Sequence, residues 1–162
     1  MKIDKMKMTT LKTPLGTVEI VGDEEGICRI TIMEEDYLSP EEAPHELVQA
    51  VEQLNQYFEG KLTVFNLKLN PTGTPFQKNV WNALCKIPYG KTTSYHQLSK
   101  ELGDVKAIRA VAGANGRNPL WIVVPCHRVI GSDGSLTGYA GGLWRKKWLL
   151  DHENPPVQQS LF

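Results

Sequence analysis

Residues 92–116 read TTSYHQLSKELGDVKAIRAVAGANG, and this stretch decides the architecture of the second half of the chain. Ser94 and Gln97 have the spacing of a capping box and Gly103 supplies a C-terminal stop, which predicts a short helix between them. A second short helix over KAIRAVAGANG (106–116) follows, with Asp104 available as its cap. Two short helices joined by a tight glycine-containing turn make a helix-turn-helix. The second helix is rich in small residues: Ala107, Ala110, Ala112, Gly113 and Ala114. A helix that reads major-groove base edges carries long polar side chains at its start, and this one carries few. A helix is about 10–12 Å wide and the minor groove about 6 Å, so small residues would let the backbone approach a narrow groove. Arg109 projects from that small-residue surface. The same composition also fits close helix packing with a solvated Arg109.

Upstream, Thr74 can cap a helix with Pro75 at its first position. Phe76, Val80, Leu84 and Ile87 form its apolar stripe until PYGK (88–91) breaks it. PTGTP (71–75) marks a boundary. Before it, residues 9–33 read as strands, with TVEIVG (17–22) and ICRITI (27–32) joined by the turn DEEG. EDYLSPEEAP (35–44) reads as a loop. HELVQAVEQLNQYFEG (45–60) has Leu47, Val48, Val51, Leu54 and Phe58 at helical spacing, and KLTVFNLKL (61–69) alternates like another strand. Downstream, GGLWRKKWLLDHE (141–153) is a final helix and NPPVQQSLF (154–162) a flexible tail. The expected fold class is α+β: a small antiparallel-sheet N-terminal lobe (1–70), then a mostly helical C-terminal lobe (74–153) with a helix-turn-helix.

The 162 residues carry no net charge, but the halves differ. Residues 1–70 hold seven Lys/Arg against thirteen Asp/Glu, a net of −6; residues 71–162 hold eleven against five, a net of +6. A basic second half hints at a polyanion partner, although a plain fluctuation between lobes gives the same numbers. No apolar run is long enough to span a bilayer, and MKIDKMKMTT lacks the apolar core of a signal peptide. A cytoplasmic protein without membrane association is expected. Cys28, Cys85 and Cys126 are an odd, widely spaced set, a poor disulfide framework, and none lies in a cluster of zinc-site spacing. Cys85 is expected to be buried and His96 exposed.

VVPCHRVIG (123–131) sets Cys126 between a proline and a His-Arg pair. A nucleophilic cysteine needs a base or positive potential nearby. In an extended segment neighbouring side chains point to opposite faces, so His127 would reach Cys126 only through a bend or a bridging water. Glu153, acidic at a helix C-terminus where it opposes the dipole, is a candidate to orient His127. Alone, the Cys-His pair is a weak signal, and a buried structural cysteine is the more frequent case.

NGRNPLWIVVPCHRVIG (115–131) and LTGYAGGLWRKKWLLDHE (136–153) resemble the O6-alkylguanine-DNA alkyltransferases, or methylated-DNA–protein-cysteine methyltransferases. GKTTSYHQLSKELG (90–103) and IRAVAGANGRNP (108–119) look like that family's helix-turn-helix. The likeness runs over residues 74–153, and the N-terminal lobe is similar only in its ribonuclease-H-like layout. The resemblance implies a DNA repair protein that binds double-stranded DNA containing O6-alkylguanine, flips the base and moves its alkyl group irreversibly to Cys126. O4-alkylthymine is left open as a second lesion. The resemblance implies that His127 serves as base, oriented by Glu153, that Tyr95 donates to the leaving guanine, and that Asn118 buttresses the cysteine turn. Arg109 would fill the space left by the flipped base, with Thr93, Tyr95, Ala107, Ala110 and Arg117 also on the DNA side. Tyr139, Val129, Ala140 and Asn115 would line the pocket, and Lys146 would support it. Ala140 stands where some relatives carry a hydroxyl residue. The expectation is a monomer without cofactor or metal: some relatives bind zinc in the N-terminal lobe, which here holds Cys28 and His45 alone. Two other readings are a non-catalytic lesion-recognition protein, whose known examples replace the cysteine, and a cysteine hydrolase built on Cys126, His127 and Glu153.

Overall fold

The computed structural model of the chain describes residues 6–35, 38, 42–136, 138, 139 and 141–156. Ala140, residues 157–162 of the expected tail and half of the expected loop 35–44 lie outside the described residues. Strands β1 (Lys7–Thr13), β2 (Gly16–Asp23) and β3 (Gly26–Ile32) form an antiparallel sheet in that order, with Thr9 opposite Ile20 and Ile20 opposite Ile30. Between β1 and β2, the Thr13 hydroxyl donates to Gly16 O (2.6 Å) and accepts from Leu15 N (3.1 Å), which pins the turn. Helix α1 (His45–Phe58) packs across β1 and β2. Its buried positions Leu47, Ala50, Leu54 and Tyr57 recur at helical spacing and meet Val18, Ile20 and Ile30 in one core.

The second edge of β3 is occupied. Ile27 forms a single parallel bridge with Leu69, and Ile30 forms one with Leu120. Ile30 N donates to Pro119 O (2.8 Å) and Trp121 N to Ile30 O (3.2 Å), so the N-terminal sheet holds the segment that leads to Cys126. These bridges also remove an open edge that would otherwise template aggregation.

Residues 61–69 are not the expected strand. Leu69 alone joins a bridge, although Phe65, Leu67 and Leu69 keep an alternating half-buried pattern. The reason is Gln53 of α1. Its amide donates to Asn66 O (3.0 Å) and accepts from Asn66 N (2.8 Å), so one side chain satisfies the backbone that a neighbouring strand would have paired.

Helix α2 (Pro75–Leu84) opens with the expected Thr74 cap, completed into a reciprocal box by Gln77. It buries Val80, Trp81 and Leu84, while Phe76 of the expected stripe is exposed. Two-residue strand β4 (Thr93–Ser94) leads into α3 (Tyr95–Glu101). Ser94 caps Gln97 N, but the Gln97 side chain turns to Glu101, so only half the box forms. Gly103 (φ 94°) ends α3 by donating to Lys100 O, and Asp104 N donates to Ser99 O, the two bonds of a Schellman stop. Asp104 then caps a 3-10 turn, Val105–Ala107, that runs into α4 (Ile108–Gly116). The Trp81 indole donates to Ala114 O (2.9 Å) and locks α2 against α4. Strand β5 (Val129–Ile130) pairs in parallel with β4, and α5 (Leu143–Glu153) closes the fold. No helix of the described residues is long and apolar enough to cross a membrane.

Replacing Gln53 by alanine strands the amide and carbonyl of Asn66. Gln53→Ala is expected to lower the unfolding free energy by about 1–3 kcal/mol, read as a lower urea midpoint at unchanged slope.

Candidate active site

The chain reaches Cys126 through a bent path rather than the extended one expected. Ile122, a β-branched residue, has φ 71°, where its side chain is strained. Val123 N donates to Trp121 O (2.9 Å), closing a three-residue γ-turn over Ile122, and Val124 N donates to Leu120 O (2.9 Å). Asn118 braces this turn from within: its amide donates to Val124 O (2.7 Å) and accepts from Leu120 N (2.9 Å). Pro125 (φ −82°, ψ 65°) then makes an inverse γ-turn, closed by Cys126 N to Val124 O (2.8 Å). Cys126–Arg128 form a 3-10 turn. A turn does not send successive side chains to opposite faces as a strand does, so the bend that the Cys-His pair required is present.

His127, Arg128 and Glu153 are all buried. Glu153 Oε2 accepts from His127 Nε2 (2.7 Å), from the Tyr57 hydroxyl (2.6 Å) and from Arg128 Nη2 (3.0 Å); Oε1 accepts from Arg128 Nε (2.7 Å). Arg128 Nη1 donates onward to Ile87 O (2.7 Å). Burial alone would raise the Glu153 carboxyl, but the hydrogen bonds from His127, Arg128 and Tyr57 outweigh it and hold the group well below the usual carboxylate range. Burial lowers His127, more than Glu153 raises it, so the ring is neutral. With Nε2–H donated to Glu153, the proton-accepting lone pair is on Nδ1.

Cys126 is buried, and burial pushes its thiol up against the opposing influence of Asn118, Lys146 and Tyr139. Lys146 is fully buried, with Nζ 6.0 Å from the Tyr95 ring centroid. Burial lowers its ammonium while Cys126 raises it. Asn115 Nδ2 donates to the Tyr95 hydroxyl (3.5 Å). Burial and the neighbouring Cys126 raise the Tyr139 phenol. Four buried polar atoms, Asn115 Oδ1, Trp121 Nε1, His127 Nδ1 and Tyr139 Oη, find no hydrogen-bond partner among the described residues. An unmet buried polar group costs about 1–3 kcal/mol, and all four belong to residues in or next to the network around Cys126.

The structure therefore brings Cys126, His127, Glu153 and Asn118 together, with Lys146 and Tyr139 beside the thiol. Tyr95 and Asn115 form an adjoining pair. Val129 is fully buried in β5, opposite Thr93 of β4. Arg109, Ala110 and Gly113 of α4 and its C-cap Arg117 are exposed, with Ala107 half-buried at the helix start. Ala140 lies outside the described residues. Cys85 is exposed, not buried as expected, and His96 is exposed. The sequence reading missed Tyr57 and Trp121. Tyr57 continues the α1 stripe three residues beyond Leu54, which could have shown its burial but not its partner. Among the described residues no three His, Cys, Asp or Glu side chains are grouped to hold a metal ion.

Glu153 and His127 both titrate below their ordinary values of 4.5 and 6.5, so the unfolded chain binds protons that the folded chain refuses. Their contribution is fully present above pH 6.5; the part from His127 starts to be lost as pH falls below 6.5 and the part from Glu153 below 4.5, each loss running on down to the group's lower folded-state value. The urea midpoint should hold above neutrality and decline in that order on acidification. A midpoint that stays level down to pH 4.5 would contradict the assignment.

Residues 75–155 match the family model for the 6-O-methylguanine DNA methyltransferase DNA binding domain, and residues 6–71 match that for its ribonuclease-like domain. The chain is 46% identical over 153 residues to the methylated-DNA–protein-cysteine methyltransferase of Methanosarcina barkeri, covering 88% of this chain and 94% of that one. It is 45% identical over 154 residues to the constitutive enzyme of Bacillus subtilis, covering 90% and 93%. The fold matches the crystal structure of Mycobacterium tuberculosis O6-methylguanine methyltransferase with a TM-score of 0.83 at 41% identity, over 96% of this chain and 97% of that one. It matches Mycobacterium tuberculosis OGT in complex with DNA with a TM-score of 0.80 at 43% identity, over 89% and 90%. With two domain models and relatives at this identity spanning nearly its whole length, the chain belongs to the 6-O-methylguanine DNA methyltransferase family and is a methylated-DNA–protein-cysteine methyltransferase of DNA repair.

Proposed function

We propose that this chain repairs duplex DNA by accepting the alkyl group of O6-alkylguanine on Cys126, once per molecule, after the damaged base is turned out of the helix. The observation that carries the reading is the buried His127–Glu153 pair next to the buried Cys126, in which a neutral imidazole keeps Nδ1 unpaired among the described residues. The thiol proton passes to Nδ1 through a water. The sulfur lone pair attacks the alkyl carbon, the carbon–O6 bond breaks, and its electrons pass to the guanine. Tyr95 donates its proton to that leaving base and is reprotonated through water by the His127 imidazolium, so the net change moves the alkyl group to sulfur and the thiol proton to guanine. Asn115, by donating to the Tyr95 oxygen, leaves the hydroxyl proton free for this bond. The product is a thioether that water does not cleave, which makes the reaction stoichiometric.

The exposed face of α4 is the reading surface for duplex DNA in this scheme, in the minor groove. Ala107, Ala110 and Gly113 allow close approach, Arg109 enters the stack vacated by the flipped base, and Thr93 and Arg117 flank it. A relative of the same fold has been crystallised in complex with DNA, which supports the choice of partner. The non-catalytic reading loses ground because Cys126 is present and braced by Asn118.

Mixing the protein with a duplex bearing O6-methylguanine should add one methyl group to the peptide containing Cys126, at a stoichiometry of one, with no further turnover. Intact adduct alongside an unmodified Cys126 would end the proposal; repeated turnover on esters or amides would favour a hydrolase. Cys126→Ala should abolish transfer and retain duplex binding. Arg109→Ala should slow transfer from a paired lesion by about tenfold, near 1.4 kcal/mol, and affect a mismatched lesion less, because that base is already loosened. Equal losses on both substrates would remove Arg109 from the role.

A further inference from the structure

Arg145, in the first turn of α5, ties the two lobes together beside the pocket wall. Its Nε donates to Leu15 O in the β1–β2 turn (2.9 Å), and its Nη1 donates to Gly141 O (2.8 Å). Leu15 is buried and its turn is pinned by Thr13, so the first acceptor is fixed by the sheet. Trp144 packs over the guanidinium, with the ring centroid 4.5 Å from Cζ. The other end of the contact leads to Tyr139. A Cβ built on Gly141 would sit 3.3 Å from Arg145 Cδ and 3.2 Å from Tyr139 Cε2, so the glycine is squeezed between the arginine stem and the tyrosine ring. Gly142 N also donates to Tyr139 O (2.9 Å), and Gly142 (φ 90°) starts α5 without any side-chain cap. The guanidinium donates to carbonyls and so does not cap the free N–H groups of this first turn; it anchors the start of the helix to the sheet and to the Gly141 backbone.

We propose that Arg145 is a positioning residue for the substrate pocket: its two-pronged contact transmits the fixed geometry of the β1–β2 turn through Gly141 to the Tyr139 ring, and so sets how tightly an O6-alkylated purine is held. The inference rests on the reading of Tyr139 as pocket wall. A lysine cannot replace the contact. Its single ammonium lacks the planar fork that reaches two carbonyls at fixed angles.

The test is single-turnover transfer from an O6-methylguanine duplex, measured against duplex concentration for wild type, Arg145→Met and Arg145→Lys. Affinity for undamaged duplex and the thermal midpoint are followed in parallel. Both variants should raise the half-saturating concentration about tenfold or more, with the limiting transfer rate and the affinity for undamaged duplex unchanged. Gly141→Ala, which pushes the Tyr139 ring directly, should raise the half-saturating concentration as well. Wild-type behaviour of Arg145→Lys would show that charge alone matters and would overturn the proposal. So would a fall in the limiting rate at constant half-saturation, or losses in undamaged-duplex affinity and thermal midpoint that match the loss of transfer. A wild-type protein that gains no methyl group would instead refute the underlying reading of Cys126.

Discussion

One carboxylate, that of Glu153, gathers hydrogen bonds from α1, from the turn carrying the cysteine and from the far end of the α2–β4 connection. Tyr57 reaches it from the N-terminal lobe, His127 and Arg128 from beside Cys126, and Gly90 N approaches at 3.4 Å. A buried anion is tolerated only when its lone pairs are met, and here the cation Arg128 shares the site with it. The order of consequence runs outward from that balance. The last turn of α5 is fixed against α1, where His152 also donates to Tyr57 O (2.6 Å) and stacks on Trp148. Gly90 (φ 78°) is required because a Cβ there would lie 3.1 Å from Glu153 O. The imidazole beside the cysteine then has one available tautomer. Losing the carboxylate would leave Arg128 as an unpaired buried cation, a defect worth about 3–5 kcal/mol.

A second constraint sets where the sulfur is. The edge of β3 holds Leu120 in place, and from there the backbone makes two successive γ-turns, the first over a strained Ile122. Backbone strain of this sort costs on the order of 1–3 kcal/mol and persists only if the surroundings enforce it. Asn118 does so with one donor and one acceptor across the turn. The N-terminal lobe thus helps to build the site: its sheet edge, Tyr57 and the carbonyl of Leu15 each hold part of it in place.

Local signals carried much of this in the sequence. Thr74, Ser94 and Gly103 each act at the helix ends their types and spacing indicated, because capping is decided within four residues, while Asp104 caps the 3-10 turn that leads into α4 rather than α4 itself. The Pro-Cys-His-Arg segment and Glu153 were legible as a site through resemblance, and Glu153 also through its uneasy place at a helix C-terminus. Contacts between distant residues left little trace. Gln53 standing in for a strand beside Asn66 looks, in sequence, like any polar helix residue. Tyr57 and Glu153 are ninety-six residues apart. The alternation of residues 61–69 was real as a burial pattern and misleading as a ladder, because period two reports which side chains face inward and not which backbone groups are paired.

The burial of Cys126 has a consequence beyond the transfer proposed for it. A sulfur kept protonated and closed in by its neighbours is a poor target for peroxides, diffusible electrophiles and soft metal ions, all of which prefer an accessible thiolate. Such a group stays chemically quiet in storage, and its reactivity awaits a ligand shaped to reach it.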